Sequence, residues 1–196
     1  MINTTSSLGR DITPFEYPIF YPKLFTPEEC NRLIDFSKRD DNPLFNNAME
    51  KAYEKQNVKA YFVNQQRPVM GELMQKIQVV ALEANKNYYN FEVSHFTYTF
   101  ILEFIKSSEF GRHIDISKNT SGCPKISIVV FLSDRDAYEG GRLIWNHIAP
   151  EKMEQFQQEQ GTMVMFPSYL CHEVEPVLSG LRHTLTTILC GNNMFR

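Results

Sequence analysis

The sequence predicts an α+β chain that is mainly β, with helices gathered in its first half and a sandwich or jelly roll in its second. Two observations carry this. From Phe91 onward, short apolar or β-branched runs are separated by turn residues: Ser107-Ser108, Asn119-Thr120-Ser121-Gly122, Glu139-Gly140-Gly141 and Leu178-Ser179-Gly180. Repeated short strands broken by such turns are the pattern of layered antiparallel β-folds. Before Phe91, the apolar residues recur instead at helical spacing. With 196 residues, 42% hydrophobic and 13% aromatic, the chain is long enough for one well-packed domain and too short for two full ones. The expectation is a single domain over 1–196, in which 1–90 supplies supporting helices and a loop and 91–196 the β-core.

The elements follow in order. The first dozen residues are polar and unpatterned and are expected to fray. Thr26-Pro27-Glu28-Glu29 places a capping Thr, a Pro at the first helical position and a Glu three residues on, which is a capping box. The helix it starts should run to about Lys38 and bury Cys30, Leu33, Ile34 and Phe36. A polar stretch containing Asp41, Asn42, Asn46 and Asn47 leads to a strand expected at Lys59 to Val63. The 41–66 region reads as a surface excursion or as a lid that closes on substrate. A second helix is predicted from near Val69 to Tyr88, with one apolar stripe formed by Met70, Leu73, Met74, Ile77, Val80, Ala81, Ala84 and Tyr88. Glu151 to Gln160 is a hydrophilic connection able to form a short exposed helix. Trp145, the only tryptophan, is assigned to core packing.

Charge and cysteine usage narrow the function classes. A formal charge of −3 and a pI near 6.0 give no field that would draw nucleic acid or an anionic membrane. No stretch approaches the ~20 apolar residues of a membrane span, and Met1 to Arg10 lacks the basic-then-apolar order of a signal peptide, so a cytoplasmic location is expected. Cys30, Cys123, Cys171 and Cys190 have no C-x-x-C spacing and read as free thiols.

The chemistry begins at Phe110-Gly111-Arg112-His113-Ile114-Asp115. On an extended strand, residues i and i+2 share a face, so His113 and Asp115 can bind one ion side by side. His172, in Met165-Phe166-Pro167-Ser168-Tyr169-Leu170-Cys171-His172-Glu173-Val174, can complete a three-cornered set. Two His and one carboxylate on one face, with open positions opposite, suit a non-haem Fe(II) oxygenase. Neighbouring strand residues face opposite ways, which puts Cys171 outside the site, and Arg112 turns away from His113 as a salt-bridge partner or a substrate contact. His95, His147 and His183 have no partner at ligand spacing and read as satisfied or exposed side chains, with His147 a candidate for the pocket rim. Ten residues after His172, Arg182 stands in the strand-like run Leu181 to Ile188, which contains no Asp or Glu. An inward Arg needs an anion, and its planar fork suits a carboxylate.

At these residues the chain resembles the Fe(II)- and 2-oxoglutarate-dependent dioxygenases, and within them the prolyl 4-hydroxylase-like branch. The likeness runs from about Phe96 to Gly191 through ordered blocks: H-x-D, Ile128 to Asp134, Glu139-Gly140-Gly141-Arg142-Leu143, Gly161 to Ser168, the second His, and Gly180-Leu181-Arg182. It implies a double-stranded β-helix, with His113, Asp115 and His172 as the catalytic Fe(II) ligands. It also implies 2-oxoglutarate and O₂ as co-substrates, with ascorbate a candidate reductant. Arg182 would bind the distal carboxylate of 2-oxoglutarate, with Thr184 two residues on as a second contact. Phe104 and Phe131 stand where relatives carry tyrosines, so the phenolic donors are missing. Ser127, Thr184 and Tyr98 are the candidate substitutes.

The reaction so implied is hydroxylation of an unactivated C–H bond with release of succinate and CO₂. A peptidyl proline is the first-choice substrate, and a free amino acid or other small molecule the second. Asp115 argues against a halogenase, which needs that carboxylate replaced. A non-catalytic metal-binding jelly-roll module is the competing class, since fold does not fix function. Specificity is expected in the Asp41 to Val63 and Ile116 to Lys125 loops.

Overall fold

The computed structural model describes residues 17–38, 56–63, 68–97, 99–116, 123–156 and 158–193, except for the side chains of 68 and 69. Helix α1 spans Pro27–Ser37 and opens on the expected capping box, in which the Thr26 side chain accepts from the Glu29 N–H and Glu29 reaches back to the Thr26 N–H. It buries Cys30, Leu33 and Phe36, while Ile34 is only partly buried. Helix α2 spans Pro68–Ala84, and its stripe of Met70, Leu73, Met74, Ile77, Ala81 and Ala84 is buried. The regular helix stops four residues short of Tyr88. From Asn85 to Tyr89 it widens into a π-turn, closed by Asn90 in the left-handed region (φ 52°) and by Asn85, whose side-chain amide bonds both backbone groups of Phe91.

The β-strands form one large and two small antiparallel sheets. The large sheet comprises β1 (Ile19–Tyr21), β2 (Val58–Phe62), β3 (His95–Phe96), β4 (Phe100–Phe104), β6 (Cys123–Phe131), β9 (Met163–Pro167) and β12 (Arg182–Gly191). Its strand order is β1-β9-β6-β12-β4-β2, with β3 beside β12. The small sheets are β5 (Phe110–His113), β10 (His172–Val174) and β8 (Leu143–Trp145) in the order β5-β10-β8, and β7 (Tyr138–Gly140) beside β11 (Val177–Gly180). This two-layered arrangement is the predicted jelly roll. The N-terminal half contributes more than helices, because β1 and β2 form both edges of the large sheet.

Period-2 alternation assigns the two faces of the large sheet. Ile126, Ile128, Val130, Met163, Met165, Leu185 and Leu189 pack in one core with α1 and α2. The opposite residues point between the sheets. Phe131, Val164 and Phe166 meet Trp145, Leu143 and Ile148 there, and Phe100, Leu102 and Phe104 meet Val177. Arg182, Thr184 and Ser127 belong to this inner parity. The 150–160 connection holds a single helical turn, α3 (Pro150–Met153). It is less exposed than its composition suggests, since Met153 and Phe156 pack into the inner core and Gln158 bonds both backbone groups of Leu143.

Candidate active site

His113 ends β5 and His172 begins β10, and the ladder sets the two residues directly opposite each other. Their ring centroids are 4.3 Å apart. Asp115 lies just past the strand end, where its N–H donates to the Ser168 carbonyl at 3.0 Å. His113 Nε2 is 3.5 Å from Asp115 Oδ1, and His172 Nε2 is 3.7 Å from Oδ2. One ligand-capable atom from each of the three residues lies within 4.8 Å of the others, a spread that a single ion spans.

The tautomers follow from the backbone. His113 Nδ1 is 2.7 Å from the Gly111 carbonyl, and His172 Nδ1 is 2.9 Å from the Leu170 carbonyl. A carbonyl only accepts, so each Nδ1 carries a proton, and in the neutral ring the Nε2 lone pair faces Asp115. Both histidines use the carbonyl two residues before them. Fixing the outer nitrogen in this way orients an imidazole for metal binding. Burial pulls the His172 pKa below its ordinary value. For His113, burial acts downward too, but the Asp115 carboxylate and the Gly111 carbonyl outweigh it and the pKa rises. For Asp115, burial acts upward and is outweighed by His113, His172 and Ser127, which hold the carboxyl below the usual range. The group is therefore an anion at neutral pH.

Arg182 opens β12 and is 1% exposed. Its guanidinium carbon lies 4.7 Å from the Phe104 ring centroid and 5.9 Å from that of Phe131, so the two phenylalanines line its faces. Tyr138 is its hydrogen-bonding neighbour, and burial draws its pKa below the ordinary value. Nε and Nη1 have no hydrogen-bond partner. Gly141 is what lets the chain pass this side chain: at φ +59°, a Cβ there would stand 2.9 Å from Arg182 Cδ and from Val177 Cγ2. Orphaned N–H groups on a buried cation match the needs of a carboxylate ligand. Together with the convergent Nε2 lone pairs, they make this site fit Fe(II) and 2-oxoglutarate.

The other predicted residues fall as follows. Thr184 is buried on the same strand face as Arg182, opposite Phe131 in the ladder. Ser127 is not free to replace a phenol, because its hydroxyl is spent on Asp115 Oδ2 at 2.5 Å and on Ser168 Oγ at 2.9 Å. Tyr98 lies outside the described residues, as does most of the 41–66 lid and of the Ile116 to Lys125 loop. Arg112 Nε sits 3.7 Å from Glu173 on the outer side. His183 faces away from the site and bonds Glu103 at 3.1 Å and Ser133 at 3.2 Å. Ser168, the carbonyls of Gly111 and Leu170, and the Tyr138 neighbour of Arg182 went unnoticed in the sequence. Backbone acceptors carry no residue-type signal, and Ser168 gave none beyond its nearness to His172.

Residues 99–189 match the family model of the 2OG-Fe(II) oxygenase superfamily, a segment that contains His113, Asp115, His172 and Arg182. Over this segment the chain is similar to that superfamily. Its curated relatives include a PKHD-type hydroxylase of Prochlorococcus marinus (strain MIT 9215), 33% identical over 43% of this chain and 37% of that protein. Another is a PKHD-type hydroxylase of Synechococcus sp. (strain CC9605), 39% identical over 38% of this chain and 33% of that one. The similarity thus spans about a third of these relatives' length. Solved structures show the same fold across most of the chain. The prolyl hydroxylase of Trichoplax adhaerens, solved with a fragment of the hypoxia inducible factor oxygen degradation domain, has a TM-score of 0.68 at 15% identity, covering 89% of this chain and 84% of that one. The viral collagen prolyl hydroxylase of Paramecium Bursaria Chlorella virus-1, solved with 2OG, has a TM-score of 0.64 at 15% identity, covering 90% and 97%. No described helix is long and apolar enough to cross a membrane.

Proposed function

We propose that the protein is a 2-oxoglutarate-dependent hydroxylase in which His113, Asp115 and His172 hold Fe(II) and Arg182 holds the distal carboxylate of 2-oxoglutarate. The observation that carries this reading is the buried guanidinium of Arg182, with Nε and Nη1 unpartnered, on the same face of the large sheet as Ser127, the hydrogen-bond partner of Asp115. Fe(II) bound there would supply the redox chemistry by which 2-oxoglutarate, O₂ and a C–H bond become succinate, CO₂ and a C–OH.

The chain's own residues account for the rest. The Gly111 and Leu170 carbonyls keep both imidazoles in the ligating tautomer. Phe104 and Phe131 keep water from the guanidinium, which strengthens its attraction for a carboxylate. Thr184 offers a hydroxyl beside it. The substrate is proposed to be a prolyl residue of a peptide or protein, supported by the prolyl hydroxylases among the fold's neighbours.

The test is to incubate the purified protein with Fe(II), ascorbate, labelled 2-oxoglutarate, and a panel of proline peptides and free amino acids. Succinate should accompany a proline peptide heavier by one oxygen atom. Oxygen found only on a free amino acid would replace the substrate assignment. Absence of succinate with every substrate would favour a non-catalytic metal-binding module.

A further inference from the structure

We propose that the hydroxyl pair Ser127–Ser168 is a positioning device for Asp115, which commits one carboxylate oxygen to the protein and presents the other to the metal. The inference rests on the metal site proposed above.

Asp115 needs such a device because it stands beyond the end of β5, where no strand ladder fixes it. Its main chain is tied by the N–H donated to the Ser168 carbonyl at 3.0 Å. Ser168 is itself anchored, because its N–H donates to the Lys125 carbonyl at 3.0 Å, beside the β6–β9 ladder, and its side chain is fully buried. The Asp115 side chain is tied at a second point through Ser127, which is 2% exposed on the inner face of β6. The proton count gives this contact a direction. An ionised carboxylate only accepts, so the single proton of Ser127 goes to Asp115 Oδ2. Ser127 Oγ can then only accept from Ser168 Oγ, 2.9 Å away. The relay runs Ser168 to Ser127 to Asp115, and each link polarises the next.

Oδ2, 3.7 Å from His172 Nε2, is already engaged by the Ser127 hydroxyl, so Oδ1, 3.5 Å from His113 Nε2, is the oxygen assigned to the metal. Binding through one oxygen spares a coordination position for co-substrate. The segment that does this also serves the second histidine: two residues after Ser168, the Leu170 carbonyl holds His172 Nδ1 at 2.9 Å. One short stretch therefore aims two of the three proposed ligands.

The test is titration of Mn(II) into wild-type, Ser127→Ala, Ser127→Thr and Ser168→Ala proteins, with the absorption spectrum of the Co(II) form of each and thermal melting without metal. Removing an outer partner of a metal ligand weakens metal binding by roughly 10- to 100-fold, so Ser127→Ala should fall in that range, with an altered Co(II) spectrum and a melting temperature near that of wild type. Ser127→Thr keeps the hydroxyl and should restore both. Ser168→Ala should show a smaller loss in the same direction. Wild-type affinity and spectrum in Ser127→Ala would overturn the proposal, as would equal losses in the Ala and Thr variants, which would make packing rather than the hydroxyl responsible. A wild-type protein that binds no Mn(II) would overturn the metal site itself and this inference with it.

Discussion

A guanidinium at 1% exposure with two unpartnered nitrogens is costly to desolvate, and that cost gives Arg182 its diagnostic value. Arg182→Lys keeps the charge but replaces the planar fork with a point charge. Calorimetric titration of the Mn(II)-loaded variant should therefore show 2-oxoglutarate binding weaker by about 1.5–3 kcal/mol. Unchanged affinity would move the anchor elsewhere. On the opposite face of the large sheet, Glu103 of the neighbouring strand β4 accepts from His183 and from Lys59 at 3.0 Å. The His183 hydrogen bond is the largest influence on its carboxyl; burial opposes it, Lys59 reinforces it, and the pKa falls from 4.5 to about 2. A pKa depressed by folding stabilises the fold above the unfolded value and ceases to do so as pH falls through the folded one. At 1.36 kcal/mol per unit, the full contribution is roughly 3 kcal/mol, present near neutrality and lost between about pH 4.5 and 2. Denaturant unfolding of wild type and Glu103→Gln should differ by about that much at pH 7 and converge near pH 2; a constant difference would dissociate Glu103 from acid stability. The convergence of His113, Asp115 and His172 was legible from i, i+2 spacing, although Asp115 lies just past the end of β5 and the backbone bond to Ser168 helps hold it there. The sequence singled out Ser127 as a candidate co-substrate contact, and only the fold shows its hydrogen bond to Asp115.

At the scale of elements, the same periodicities that predicted the helices predict what breaks them. Ile77 is fully buried between α2 and the large sheet, so Ile77→Ala should destabilise by about 2–5 kcal/mol in urea unfolding. Leu82, 48% exposed on the same helix, should tolerate Ala to within about 0.5 kcal/mol. Equal effects would contradict the assigned face. The Gly140-Gly141 turn ties element to site. Both glycines have positive φ, and a Cβ on Gly140 would stand 2.3 Å from the Pro176 carbonyl. Gly141→Ala should therefore weaken 2-oxoglutarate binding by displacing Arg182, and titration should show it; wild-type affinity would mean the side chain yields freely. Capping chemistry placed the start of α1 correctly, because a cap is a local signal. The end of α2 was less legible, since the π-turn depends on Asn85 reaching Phe91. Strand β2 lies within a residue of the strand expected at Lys59 to Val63, whereas the three-residue β1 takes its strand character from β9, far along the chain.

At the scale of the whole molecule, two small sheets facing a large one bring together residues that begin far apart in sequence. His113 and His172 meet through a single ladder pair, and Arg182 reaches the same interior because β12 runs between β6 and β4. The helices cover the opposite face of the large sheet, while the inner face carries Arg182, Thr184 and Ser127 among apolar side chains. The measurement that tests this account most directly is the stoichiometry and affinity of Mn(II) binding to wild type, His113→Ala and His172→Ala. One ion per wild-type chain, lost in both variants while their folds persist by circular dichroism, is the predicted result. Wild-type binding in both variants would contradict it.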